Sequence, residues 1–81
     1  MSTWSKIEIE HDGALLELRH ERGHAWVRRG ALYVDGLHAG GCTLERRRAL
    51  GVVTWVIEDR PRDLDDEAYE ALEARLNEVL G

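Results

Sequence analysis

The dipeptide Asp12-Gly13 stands between two segments in which apolar residues occupy every second position, Ile7 and Ile9 before it, Leu16 and Leu18 after it. Asp-Gly tolerates the positive φ that both central positions of a two-residue type I′ turn demand, and a period of two is the mark of a half-buried strand. Turn and pattern together set the register. Ile9 faces Leu16 and Ile7 faces Leu18, so four aliphatic side chains share one face while Lys6, Glu8, Glu10, Glu17 and Arg19 take the other. A slip of one residue would turn all four into water. From this point the chain is committed to an antiparallel sheet with one covered face.

The next residues extend the same logic. Glu21-Arg22-Gly23 and Arg28-Arg29-Gly30 each fit a three-residue loop closed by a left-handed glycine, which predicts two more hairpins. In that register His20 lies opposite His24, Leu18 and Leu32 flank Trp26, and His24 lies opposite Val34. The inner face then holds Ile7, Ile9, Leu16, Leu18, Trp26, Leu32 and Val34, and the outer face shows Leu15, Ala25, Val27 and Tyr33 among charges. Asp35-Gly36 ends this four-stranded meander and 37–41 is a glycine-containing connection. Residues 43–50 read as a turn or two of helix in preference to another strand. Residues 52–57, dense in β-branched side chains, read as a fifth strand, with one helix over 43–57 as the competing reading.

The last element carries helix signals at both ends. Asp65 suits the N-cap, Asp66 and Glu67 place negative charge on the first turn, Leu64 and Tyr69 are spaced as a hydrophobic staple, and Gly81 follows the last turn. Ala68, Tyr69, Leu72, Leu76, Val79 and Leu80 make one apolar stripe, which predicts a helix lying on the inner face of the sheet. Asp66, Glu70, Glu73 and Glu78 are left on the other side. The expected fold class is therefore α+β: an antiparallel β-meander of four to five strands with a C-terminal amphipathic helix packed on one face, and a short second helix near 43–50 as an optional addition.

At 81 residues the chain is expected to make a single domain, 1–81, with shallow pockets, because a chain this short buries only about 60 to 65% of its unfolded surface. One cysteine, Cys42, makes no internal disulfide, no apolar run reaches membrane-span length, and residues 1–6 lack the basic-then-apolar order of a signal peptide, so the expected compartment is the cytoplasm. The net charge of −5 is uneven. Residues 1–57 hold eight Lys/Arg against seven Asp/Glu, while 58–81 hold three against nine.

Chemistry-bearing constellations are sparse. His20 with His24, and His38 with Cys42, invite a zinc reading, but their spacing fits no finger or knuckle, and the expectation is no metal. His38 and Cys42 also have the types of a base and a nucleophile, without an oxyanion site or a third orienting group. No catalytic residue and no cofactor are assigned, and an enzyme is not expected. Arg28-Arg29 and Arg46-Arg47-Arg48, near Trp26 and Tyr33, suit a phosphate backbone with stacked bases. The pI near 5.3 and the acidic helix weigh against direct nucleic-acid binding.

A carboxylate row on a helix can instead imitate phosphates and compete for a basic groove. This reading makes Asp66, Glu67, Glu70 and Glu73 the contact row for a protein partner, and Trp4, Arg28, Arg29 and Tyr33 secondary anchors. In size, acidity and element order the chain resembles small phage-encoded anti-CRISPR proteins. The resemblance implies a stoichiometric inhibitor that binds a CRISPR surveillance complex in the host bacterium and blocks target DNA binding or nuclease recruitment. It carries over no residue, since that family shares no motif. The alternative is an Arg-based nucleic-acid-binding or regulatory module. A homodimer joined through a sheet edge is a third class, so the expected state is monomer or homodimer without membrane attachment.

Overall fold

A computed structural model describes residues 4–80. The Asp12-Gly13 turn forms as expected, with φ of 50° and 79°, and joins β1 (Trp4–His11) to β2 (Ala14–Glu21). Ile7 pairs with Leu18 and Ile9 with Leu16. Three more strands follow, β3 (Val27–Val34), β4 (Leu37–Ala49) and β5 (Val52–Glu58), and then one helix, α1 (Asp66–Leu80). All strand pairs are antiparallel and the sheet order is the chain order, a five-stranded meander.

The middle of the chain departs from the sequence reading in two places. Arg28-Arg29-Gly30 is no turn but the interior of β3, where Leu18 pairs with Leu32 and His20 with Gly30. An unbroken β3 sets Arg28, Gly30, Leu32 and Val34 against the covered face along eight residues. Two short strands with a turn between them would give up half of that pairing. Glycine is needed at position 30 for space: a Cβ there would stand 3.1 Å from Cys42 Sγ and 3.2 Å from the Arg19 carbonyl oxygen. With the turn gone, residues 22–26 become the β2–β3 connection, and Trp26, expected inside, is 51% exposed. His24 and Ala25 are exposed on the same connection.

The second departure is 43–50, which is strand and not helix. Asp35-Gly36, with φ of 49° and 83°, is a second type I′ turn, and β4 runs from it for thirteen residues. Leu50-Gly51, with φ of 51° and 78°, is a third such turn, leading into β5. Glu45, Arg46, Arg47 and Arg48 are good helix formers, but the strand has a partner on each side, Val27 facing Glu45 on β3 and Trp55 facing Arg46 on β5. Pairing with β5 along its whole length, and with β3 as far as Glu45, overrides a weak local preference. A bulge lets β4 keep its inner side: Tyr33 pairs with His38 but Leu32 with Gly40, so Ala39 is the extra residue and Cys42 and Leu44 turn inward.

The core lies between the sheet and the helix. Ile7, Leu16, Leu18, Leu32, Leu44, Trp55 and Ile57 meet Ala68, Tyr69, Leu72 and Leu76. The helix touches both β5 and β1, the two edges of the sheet, so the sheet curls around it. Asp65 caps α1 by accepting the Ala68 N–H at 2.8 Å, and Leu64 packs on the core beside Tyr69, as cap and staple require. The expected stop at Gly81 lies outside the described residues. Among the described residues no helix is long and apolar enough to cross a membrane.

His20 sits in this core, 2% exposed, with Nδ1 3.2 Å from the Glu21 carbonyl oxygen and Nε2 without a hydrogen-bond partner among the described residues. Burial holds its pKa below the ordinary value near 6.5, helped by the Arg28 and Arg22 guanidiniums, so the folded protein keeps it neutral. The unfolded chain takes up this proton at a higher pH than the folded chain, so stability present at neutral pH is lost as pH falls from about 6.5 through the lowered folded value. Each pH unit of that window costs about 1.4 kcal/mol. The melting temperature should therefore fall between pH 7.5 and 5 (about one and a half units below the free histidine value), and His20→Leu should flatten that slope. Equal slopes for both proteins would remove His20 as its cause.

Candidate binding surfaces

The outer face of the sheet carries an open cavity of about 820 Å³ lined by Trp4, Lys6, Arg19, Arg22, Ala31 and Tyr33. Period-two alternation puts these side chains together, and Ala31, paired with Gly41, keeps the floor low. Its cations are already engaged. Lys6 Nζ lies 3.0 Å from Glu8 and 3.7 Å from Glu17, Arg19 Nε donates to Glu17 at 2.6 Å, and Arg22 Nε donates to Ser5 Oγ at 2.6 Å. Donating a hydrogen bond to Glu8 raises the Lys6 pKa, and donating one to Glu17 raises that of Arg19. The Arg19 guanidinium also covers the Tyr33 ring at 4.1 Å, and His38 meets that ring edge-on at 5.2 Å. The result is an amphipathic, nearly neutral cradle. Trp4 and Tyr33, named separately from sequence, line the same cavity.

The other two anchors part company. Arg29 points outward, its side chain 83% exposed, 3.5 Å from Glu21. Arg28, one residue earlier, lies on the concave face with its guanidinium 4.6 Å from the Trp55 ring centroid. Beside it Arg46 covers Trp26 at 4.7 Å.

The helix row also divides. Asp66, Glu67 and Glu70 are exposed, Asp66 at 96% of its side chain, with only a long 3.9 Å approach from Arg60. Glu73, expected in the same contact row, is occupied within the fold. It accepts the Ile57 N–H at 2.7 Å and Arg60 Nη2 at 3.1 Å, and its side chain is 18% exposed. One turn on, Asn77 accepts the Trp55 N–H at 2.7 Å and donates to the Trp55 carbonyl at 3.0 Å and the Glu73 carbonyl at 2.8 Å. The two side chains stand in for a sixth strand on the free edge of β5, where open backbone groups would otherwise invite another chain. Asn77 was not singled out from sequence. Its only signal is a polar i,i+4 pair with Glu73, flanking Leu72 and Leu76 on the apolar stripe.

Strand topology gathers many of the carboxylates at one end, although Arg60 and Arg62 lie on the linker there and Glu78 lies at the other end of α1. The Asp12-Gly13 and Asp35-Gly36 turns and the 59–65 linker share one end, and α1 starts there, since His11 Nε2 lies 3.9 Å from Asp65. Asp12, Asp63, Asp65, Asp66 and Glu67 collect at that end, with acceptor atoms of Asp12 and Glu67 within 4.8 Å of each other. The 22–26 connection and the Leu50-Gly51 turn share the opposite end, with Arg22, Arg28, Arg46 and Arg48.

The remaining nucleophile and ligand candidates are separated. Cys42 is buried on the inner face and burial pushes its thiol up to about 11, whereas His38 lies outward against Tyr33. His20 is buried and His24 exposed on a loop, so they are not the cross-strand neighbours expected from sequence. Comparison with protein-family models, with curated proteins and with solved structures gave no match.

Proposed function

We propose that this protein is a non-enzymatic binding protein that seats its acidic end in the basic groove of a nucleic-acid-binding partner. One observation carries the reading: carboxylates from three separate segments, Asp12 of the β1–β2 turn, Asp63 and Asp65 of the linker, and Asp66, Glu67 and Glu70 of α1, gather at one end of a small body. Asp66 and Glu70 stand four residues apart on the helix, about 6 Å along the axis. Such a row presents acceptor oxygens much as a phosphate backbone does, and attracts the same cationic grooves. The cavity around Trp4 and Tyr33 supplies a second, less polar contact. In keeping with the resemblance to anti-CRISPR proteins, the partner class is a CRISPR surveillance complex in the bacterial cytoplasm, inhibited by loss of target DNA binding or of nuclease recruitment. A buried, protonated Cys42 on the other face of β4 from His38 favours binding over covalent chemistry.

The test is affinity capture from bacterial lysate with the native protein and with the Asp66→Lys, Glu67→Lys, Glu70→Lys triple variant. The native protein should retain a partner that added DNA displaces, and the variant should lose it while keeping the native circular dichroism spectrum. Retention of the same partner by the folded triple variant would refute the reading.

A further inference from the structure

Net acidity speaks against nucleic acid in the sequence, but strand register brings Arg28, Arg46 and Arg48 together away from the acidic linker, and Glu78 on the last turn of α1 is paired with Arg75 at 2.8 Å. β3 ends its pairing with β4 at Val27 facing Glu45, while β4 continues to Ala49. The Arg46 N–H still donates to the Trp26 carbonyl at 2.7 Å, and its partner Trp55 is buried. The two-stranded ribbon that projects past β3 therefore consists of residues 47–49 and 52–54, with Arg46 at its root, and is roughly 10 Å long at 3.4 Å per residue. Arg46 and Arg48 lie on the concave side of this ribbon, and Arg28 lies beside its root.

None of these three arginines makes an ion pair among the described residues, although the chain has 16 carboxylates. Lys6, Arg19, Arg29, Arg47, Arg60 and Arg75 each do. What Arg28 and Arg46 have instead is a tryptophan ring each, with Arg28 Nε also donating to the Ala25 carbonyl at 3.0 Å, and Trp26 under Arg46 stays 51% exposed. At the tip, Leu50 is fully exposed and holds a φ of 51° in a position that favours Asn, Asp or Gly. The acidic end lies about 22 Å away, the length of a 15-residue helix, against a Debye length of about 8 Å. Its repulsion is screened there.

We propose that the concave side of the β4–β5 ribbon binds single-stranded nucleic acid, with phosphates on Arg28, Arg46 and Arg48, a base on Trp26, and Leu50 against a neighbouring base. Flat guanidinium–indole pairs suit unstacked bases, and Arg46 and Arg48, two apart on a strand, stand about 6.8 Å apart, far enough to meet separate phosphates. A partner that already holds one nucleic-acid strand would offer both a basic groove and this second contact, but the site does not depend on that partner.

The experiment is fluorescence anisotropy of labelled oligo-dT and oligo-U, about 20 nucleotides long, so as to span more than one site size. Binding at 50 mM NaCl should be saturable and should weaken about 20-fold at 200 mM, since three neutralised phosphates give a salt slope near −2 for single strands. Trp fluorescence should be quenched on binding, and Trp26→Ala should remove that quenching. Arg46→Ala with Arg48→Ala should lower affinity at least about tenfold and flatten the salt slope. Arg48→Ala alone, which removes no side-chain hydrogen bond or ion pair among the described residues, should flatten it by about one third. The proposal is overturned by no saturable change up to about 100 µM protein at 50 mM NaCl, or by unchanged affinity in the arginine variants. Displacement by polyglutamate at equal charge, or tighter binding of duplex, would also overturn it, naming an acidic protein or a double helix as the occupant. Any of these failures leaves the acidic end untouched, because the substituted residues lie at the opposite pole.

Discussion

Leu72→Ala is expected to lower the unfolding free energy by about 3 kcal/mol and the melting temperature by roughly 15 °C. Leu72 has no exposed surface and sits mid-helix between Tyr69 and Leu76, where α1 closes over the curled sheet. Truncation removes the transfer energy of the buried carbons and leaves a cavity that sheet and helix, tied at both edges, close only in part. Val79 lies on the same helix but is 51% exposed, so Val79→Ala should move the denaturant midpoint little, by about 0.5 kcal/mol or less. Equal effects from both would mean that α1 is not seated on the sheet by its apolar stripe.

The second large effect is expected at a polar residue. Asn77→Ala removes two hydrogen bonds from the backbone of Trp55 and should cost about 2 kcal/mol. It also opens the edge of β5, so the variant should associate in a concentration-dependent way on size exclusion, where the native protein should not. Asn77→Asp separates the two bonds. A carboxylate still accepts the Trp55 N–H but presents an acceptor to the Trp55 carbonyl, so it should be as damaging as alanine at neutral pH. It should recover part of the loss below about pH 4, once the acid can donate. Loss without any pH recovery would leave only the N–H contact as the source of Asn77's effect.

These residues show where sequence patterns stop informing. Asp12-Gly13 and its alternating flanks are local, and the register they imply is the one that forms. Asp35-Gly36 offers the same turn, but the strand beyond it was illegible, because the extra residue at Ala39 throws Leu37 out of phase with Cys42 and Leu44. A period of two with one insertion looks like no period. Gly30 misleads for a related reason: a glycine that leaves room for Cys42 Sγ between strands has the same letter as one that closes a turn, and that choice carried Trp26 to the wrong face. The 43–50 segment is composed like a helix, and pairing with β5 throughout and with β3 up to Glu45 makes it a strand. Cap, staple and apolar stripe of α1 are short-range and were legible.

The candidate surface divides in the same way. Asp66, Glu67 and Glu70 were recognisable as exposed because their helical phase lies off the stripe. Glu73 shares much of that phase, and what takes it out of the row is the Ile57 N–H, sixteen residues away in sequence. Arg28 and Arg29 look like one basic cluster until strand alternation sends them to opposite faces. Net charge says nothing of where charges fall along the strands, so it gave no sign that Arg28, Arg46 and Arg48 share the concave face.

The central claim is that the acidic end binds a partner while Glu73, on the same helix, holds the sheet edge. Titration of the captured partner with Glu70→Lys and Glu73→Ala, alongside a thermal melt of each, tests it directly. Glu70→Lys should weaken binding at least about tenfold with an unchanged melting temperature, and Glu73→Ala should melt lower yet bind within about threefold of native. Native-strength binding by Glu70→Lys, or binding lost from Glu73→Ala at an unchanged melting temperature, would contradict the account.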